Sequence, residues 1–217
     1  MFNIVKNRYI ETWESPIFRF STAISLIALF ISGFINYYAG TYATEQASNF
    51  VTDIILSNTP VFNVDDVFVY GSFVLSVFVL ALLVIHPKKI PFTLLSLSLF
   101  VFTRSIFISL THLGPFPLHA ALDLGNIANK FIFGGDLFFS GHTGIPFLMA
   151  LIFWNEKYLR YIFIGWSIVF GVTALMGHLH YTIDVISAFF ITYTIFHIAE
   201  IIFKKERELF HGVQIAL

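Results

Sequence analysis

Six apolar stretches, at roughly 17–38, 67–87, 90–112, 137–154, 161–178 and 180–203, dominate this 217-residue chain. Each is near the roughly 17 to 25 residues that a bilayer-crossing helix needs, and in lipid a helix is the one open-ended element that satisfies its own backbone N–H and C=O groups. The fourth and fifth are marginal in length. The first reads as a retained helix rather than a cleaved leader, because its apolar run exceeds the usual ~7 to 15 residues and a mixed-charge stretch precedes it. With 57% apolar residues, 12% charged residues and a mean hydropathy of +0.82, the chain lies far from the roughly 25% charged content of a soluble domain. The expected fold is all-α: a single polytopic membrane domain over 1–217 with six transmembrane helices.

The basic residues orient it. Lys6, Arg8 and Arg19 precede the first stretch, Lys88 and Lys89 follow the second, Lys157 and Arg160 follow the fourth, and Lys204, Lys205 and Arg207 follow the sixth. When six spans alternate these all fall on one side, which the positive-inside rule makes cytoplasmic, with both termini inside. Arg104 and Lys130 are the exceptions, toward the outer face. The net charge of -1 gives no reason to expect a nucleic-acid partner. Cysteine is absent, which excludes disulfides and thiolate metal sites.

Against this background, ionisable residues inside apolar stretches stand out. A charge at the centre of a membrane helix costs about 2.5 to 3.5 kcal/mol on insertion scales, so such residues mark a site by default. His142 lies about five residues into the fourth stretch, Asp184 about four into the sixth, and Arg104 about eight before the outer end of the third. Each falls within roughly 6 to 12 Å of the outer boundary at ~1.5 Å per residue. One level on three helices fits one pocket opening to the exoplasmic leaflet, as bundle cores build sites from facing helices.

The residue types suit phosphoryl transfer through a covalent intermediate. His180 and Asp184 are four apart, so on a helix they share a face, and the carboxylate orients the imidazole and stabilises its cation. His142, with an ordinary pKa of about 6.5, can protonate a departing oxygen. Arg104 offers a planar fork of donors to phosphate oxygens, or pairs structurally with Asp184, Asp136 or Asp123. Ser140 and Gly141 add neutral donors. His178, two before His180, faces another side of a helix if one has begun, as a structural or a phosphate-binding group. His86, His112, His119, His197 and His211 read as interhelical or surface groups.

These residues resemble a known family. Phe139-Ser140-Gly141-His142 and His180 with Asp184 look like the second and third signatures of the type 2 phosphatidic acid phosphatase (PAP2) superfamily, a six-helix fold with two histidines and an aspartate at its active site. Gly135 to Thr143 and His178-Leu179-His180-Tyr181-Thr182-Ile183-Asp184-Val185 are similar to the extended motifs of its sphingomyelin synthase branch, and Arg104 with Leu113-Gly114-Pro115-Phe116-Pro117 to that branch's preceding segment. The resemblance covers roughly 95–200, the expected catalytic core. It implies a reaction without metal or cofactor, in which His180 attacks phosphorus and His142 protonates the leaving alcohol.

The departures narrow the expectation. Where the phosphatases carry Lys-x6-Arg-Pro and a second Ser-Arg, this chain has Arg104 alone and Thr173-Ala174. Fewer cations suit a singly charged diester better than a doubly charged monoester. The expected activity is transfer of a phospho-headgroup from a glycerophospholipid to a lipid alcohol, ceramide or diacylglycerol. A lipid phosphate phosphatase with water as acceptor is the alternative. A metal-binding or transport protein using His142, His178, His180 and Asp184 as ligands is a remote one. The short termini give no expectation of an appended soluble domain.

Overall fold

The computed structural model describes residues 2–120 and 134–212, with side chains from residue 5 onward. Lys130 and Asp123, noted above, lie outside the described residues. Among those described, the regular elements are helical: α1 (Phe2–Glu14), α2 (Pro16–Glu45), α3 (Asp65–Ile85), α4 (Ile90–Leu110), α5 (Gly141–Ile152), α6 (Lys157–Met176), α7 (Thr182–Ile202) and α8 (Lys204–Phe210). Helices α2, α3, α4 with the turn before it, α6 and α7 are each long and apolar enough to cross a bilayer. The protein is a multi-pass integral membrane protein.

Two elements differ from the sequence expectation. The fourth stretch, 137–154, shortens to the 12 residues of α5, about 18 Å against a hydrocarbon core of about 30 Å. The cause is local: Ser140 caps the helix by accepting the Thr143 N–H, so residues 134–140 stay non-helical. Nine of the twelve α5 residues are buried, which makes α5 an interior helix enclosed by its neighbours. The second difference is α1, a separate helix where only a mixed-charge stretch was expected. Ser15 accepts the Phe18 N–H at 3.3 Å and Pro16 supplies a pre-set φ at the first position of α2, so the chain restarts there.

Small residues let the helices approach. The buried faces of α2 and α4, the most extensively packed pair, carry Ser21, Ser25, Ser32, Ala39, Ala43 and Ser96, Ser98, Ser105. Ser25, Ser32 and Ser105 each donate back to a carbonyl of their own helix, so the interface stays close without stranding those hydroxyls. At Gly144 of α5 an added Cβ would lie 2.6 Å from the Phe100 ring and 2.9 Å from Thr192 Oγ1, so only glycine fits α5 between α4 and α7. Phe92, Phe100, Phe139, Phe153, Phe163 and Phe170 fill the core. Phe20, Phe30, Phe73 and Phe190 point outward, where lipid covers them.

The two ends of the bundle differ in kind. One carries α1, the 86–89 turn, α8 and the ion pairs Lys88–Glu11, Lys89–Glu156 and Arg207–Glu200. At the other, the loop after α2 is tied to the loop after α4 and to the end of α6: Ser48 N–H donates to His112 O, and Phe62 N–H to Met176 O.

Candidate active site

The site forms where α5 and α7 begin. Tyr181 is the N-cap of α7 and Asp184 its third residue, and Asp184 Oδ2 reaches back to accept the Tyr181 N–H at 2.9 Å. That bond, with the positive end of the helix dipole, stabilises a carboxylate that is fully buried. His180 therefore precedes the helix, a correction to the expectation of two residues on one helical face. It still meets Asp184, through the turn: His180 Nδ1 lies 3.6 Å from Asp184 Oδ2. This is ion-pair range but too long for a hydrogen bond, and His180 Nδ1 and Asp184 Oδ1 are buried without another hydrogen-bond partner. Catalytic hydrogen bonds are often this long before substrate tightens them.

The turn that delivers His180 is the C-terminal closure of α6. Leu179 N–H donates to Ala174 O and His178 N–H to Leu175 O, the two bonds of a Schellman motif, with His178 at φ 52 in the left-handed position usual for glycine. The His178 ring points among the loops at this end of the bundle instead of toward His180. Its Nδ1 is 2.8 Å from Leu118 O and its Nε2 3.3 Å from the Thr59 hydroxyl. His178 thus fastens two loops over the site.

Ser140 joins the two helix starts. Its N–H donates to Asp184 O at 3.1 Å, and its hydroxyl accepts from Thr143 N–H and Oγ1. His142 follows in the first turn of α5. Its ring lies tilted against Phe68 of α3 with centroids 3.9 Å apart and meets Phe170 of α6 edge-on. It is within electrostatic reach of His180 and Arg104. Pro146 has no N–H, so the His142 carbonyl lacks its usual helical donor.

Arg104 of α4 packs against Gly141, whose added Cβ would sit 3.3 Å from its Nε. The guanidinium is already engaged: Nε donates to Phe139 O at 2.8 Å, Nη1 pairs with Asp136 Oδ2 at 3.1 Å, and Nη2 donates to Asp136 O. It holds the 136–139 segment that leads into Ser140. The structure thus brings His142, His180, Asp184, Arg104, Ser140 and Gly141 together, and sets the His178 ring apart. Among the described residues no three His, Asp or Glu side chains are grouped to hold a metal ion.

Sequence reasoning missed Asp53, which is 129 positions from its partner. From the loop after α2 its carboxylate accepts the Thr182 N–H and hydroxyl, both at 2.7 Å, and so closes the first turn of α7. Only the sharing of a helix start by two distant segments gives it this role, and no local pattern signals that.

Residues 134–201 match the family model described as PAP2 superfamily C-terminal. That match supports the PAP2 superfamily for the segment that carries both histidines and Asp184. The chain is also 33% identical over 93 residues, 42% of its length, to "Uncharacterized protein MJ0662" of Methanocaldococcus jannaschii. It spans about two fifths (39%) of that relative's own length. No solved structure matches.

Asp53 yields a pH test. Burial pushes its carboxyl up, but hydrogen bonds from the Thr182 hydroxyl and from the Thr182, Leu56 and Ile55 N–H groups outweigh burial and hold it below the usual value. Stabilisation from such a group is present above its unfolded value of about 3.9 and disappears as pH falls through the lowered folded one. Asp53→Ala should cost about 1 to 2 kcal/mol near neutrality, as for a lost cap. Thermal unfolding in mild detergent should show the gap to wild type constant above about pH 5 and shrinking below about pH 4. A gap that persists unchanged at the acid end would remove the carboxylate from this role.

Proposed function

We propose that this protein is a lipid phosphotransferase that moves a phospho-headgroup from a glycerophospholipid to a lipid alcohol, ceramide or diacylglycerol, through a phosphohistidine on His180. The observation that carries the reading is the buried His180–Asp184 contact at the start of α7, with His142 entering from α5. His180 Nε2 attacks phosphorus while its Nδ1–H turns to Asp184, which stabilises the developing imidazolium. The P–O bond to the donor alcohol breaks, and protonated His142 gives its proton to that oxygen. The acceptor hydroxyl then attacks the phosphohistidine, returns a proton to His142 and frees His180. Ser140, the Gly141 backbone and the unused Arg104 N–H groups are the donors proposed for the phosphate oxygens, with His178 as a contributor once substrate moves the loops.

Charge supports a diester substrate over a monoester. Arg104, which is within electrostatic reach of His142, already has Asp136 as counter-ion, and Asp184 adds a second carboxylate. A doubly charged phosphomonoester would meet little compensation in a poorly solvated site. The phosphatase reading, with water in the acceptor's place, remains the second one because it needs the same His180 and His142 chemistry. By the placement of basic residues, the site faces the exoplasmic leaflet and both termini are cytoplasmic.

Purified protein in phospholipid vesicles with ceramide or diacylglycerol should form a new phospholipid at the acceptor's expense. Free phosphate as the sole product would favour the phosphatase. Donor labelled at phosphorus should leave acid-labile label on the wild type and none on His180→Ala, with turnover lowered by several orders of magnitude. In His142→Ala, an aryl phosphoester whose phenolate departs unaided should restore labelling. Label surviving in His180→Ala would reverse the assignment.

Orientation has its own test. A cysteine at Ser48 should react with a membrane-impermeant reagent in intact cells, and one at Asn155 should not; the opposite pattern would place the site in the cytoplasmic leaflet.

A further inference from the structure

At the end of the bundle opposite His142 and His180, a cavity of about 330 Å³ lies between α1, the 86–89 turn and the end of α8. That volume is within the roughly 300 to 1,000 Å³ range of small-ligand sites. Its walls carry Arg8, Lys88, Lys89, His86 and His211 against, among the described residues, one acid, Glu11, and Phe210 forms an apolar side. It is separate from the proposed catalytic centre: Lys89 and Arg104 are fifteen residues apart along one helical run, roughly 20 Å at helical rise.

The cations here are unevenly matched. Lys89 has Glu156, and Lys88 has an exposed pair with Glu11 at 3.2 Å, which is worth little. Arg8 is half-buried, and its hydrogen-bond partners are the Ile85 carbonyl at 3.0 Å and the His86 Nδ1 at 3.1 Å. Neither carries a negative charge. A guanidinium held in place by neutral groups beside a second, loosely paired cation presents the fork that phosphate oxygens accept.

We propose that this cavity is a binding site for a phosphate-bearing anion, with Arg8 and Lys88 as its ligating cations. A basic pocket at the membrane–water boundary of a helical bundle suits the headgroup of an anionic phospholipid, and the same chemistry accepts soluble phosphate. The histidines respond to the same positive field. Burial, then Lys89 and Arg8, lower the His86 pKa against the opposing pull of Glu156. Burial, then Arg207 and Lys89, lower that of His211 against Glu200 and Glu156. A bound anion opposes those shifts, so binding takes up protons and tightens as pH falls.

The test uses the full chain carrying His180→Ala, so that no donor is consumed, in neutral detergent with bound lipid counted by native mass spectrometry. Phosphatidylglycerol should be retained over phosphatidylcholine, more tightly at pH 6 than at pH 8. Arg8→Gln and Lys88→Gln should each weaken that retention about fivefold or more, in line with a lost charge-assisted hydrogen bond. Lys6→Gln, off the cavity wall, should not. A lipid held at the catalytic end is common to all four proteins, so the difference between them isolates this site. Displacement by millimolar inorganic phosphate would identify the soluble anion as the ligand, and no displacement the headgroup. Lys88→Gln alters an exposed side chain and reports even if Arg8→Gln destabilises the fold. Equal retention in all four proteins, or no preference for the anionic lipid, would overturn the proposal.

Discussion

A carboxylate with no solvent is the constraint that this end of the helical bundle is arranged around. Asp184 is wholly enclosed, where an unpaired charge would be prohibitive, and it is tolerated because it sits at the start of a helix. The Tyr181 N–H and the helix dipole supply part of its compensation. The rest comes from an imidazole 3.6 Å away that can take a positive charge. The position that stabilises the carboxylate also leaves one oxygen without a partner. The other oxygen, Oδ2, both accepts the Tyr181 N–H and faces His180 Nδ1.

The neighbouring elements serve this arrangement. Ser140 links the start of α5 to the Asp184 carbonyl, Arg104 holds the segment leading into Ser140, and Asp53 closes the first turn of α7 from a distant loop. Phe68 and Phe170 fix the plane of His142, which a flexible polar contact would not do as firmly. Ser140, Arg104 and His142 are each held by a group from another helix or loop, and Asp184 by the turn that caps its own helix. Interior α5 makes this possible: nine of its twelve residues are buried, and His142 in its first turn lies against Phe68 and Phe170.

The all-helical membrane fold was legible in the sequence, because lipid forces apolar runs of near-constant length. So was the proximity of His142, Asp184 and Arg104, since each interrupts such a run, with His180 four residues before Asp184. The extent of α5 was not legible, because Phe138 and Phe139 are as apolar as the helix that follows and only the Ser140 cap reveals its start. The route from His180 to Asp184 was misread for a similar reason: a spacing of four suits a helix, yet the turn after α6 brings the pair together without one. The contacts of Asp53 and Arg8 join residues far apart in the chain. Packing alone discloses them.

The central claim is that phosphorus passes through His180, and stereochemistry at phosphorus tests it without altering the protein. A phospholipid donor of defined configuration, with one nonbridging oxygen isotopically labelled, is turned over with the lipid acceptor and the product's configuration is read by phosphorus NMR. Two successive in-line displacements each invert the centre, so net retention is the expected result. Net inversion would mean that the acceptor attacks the donor directly, and would contradict a covalent role for His180.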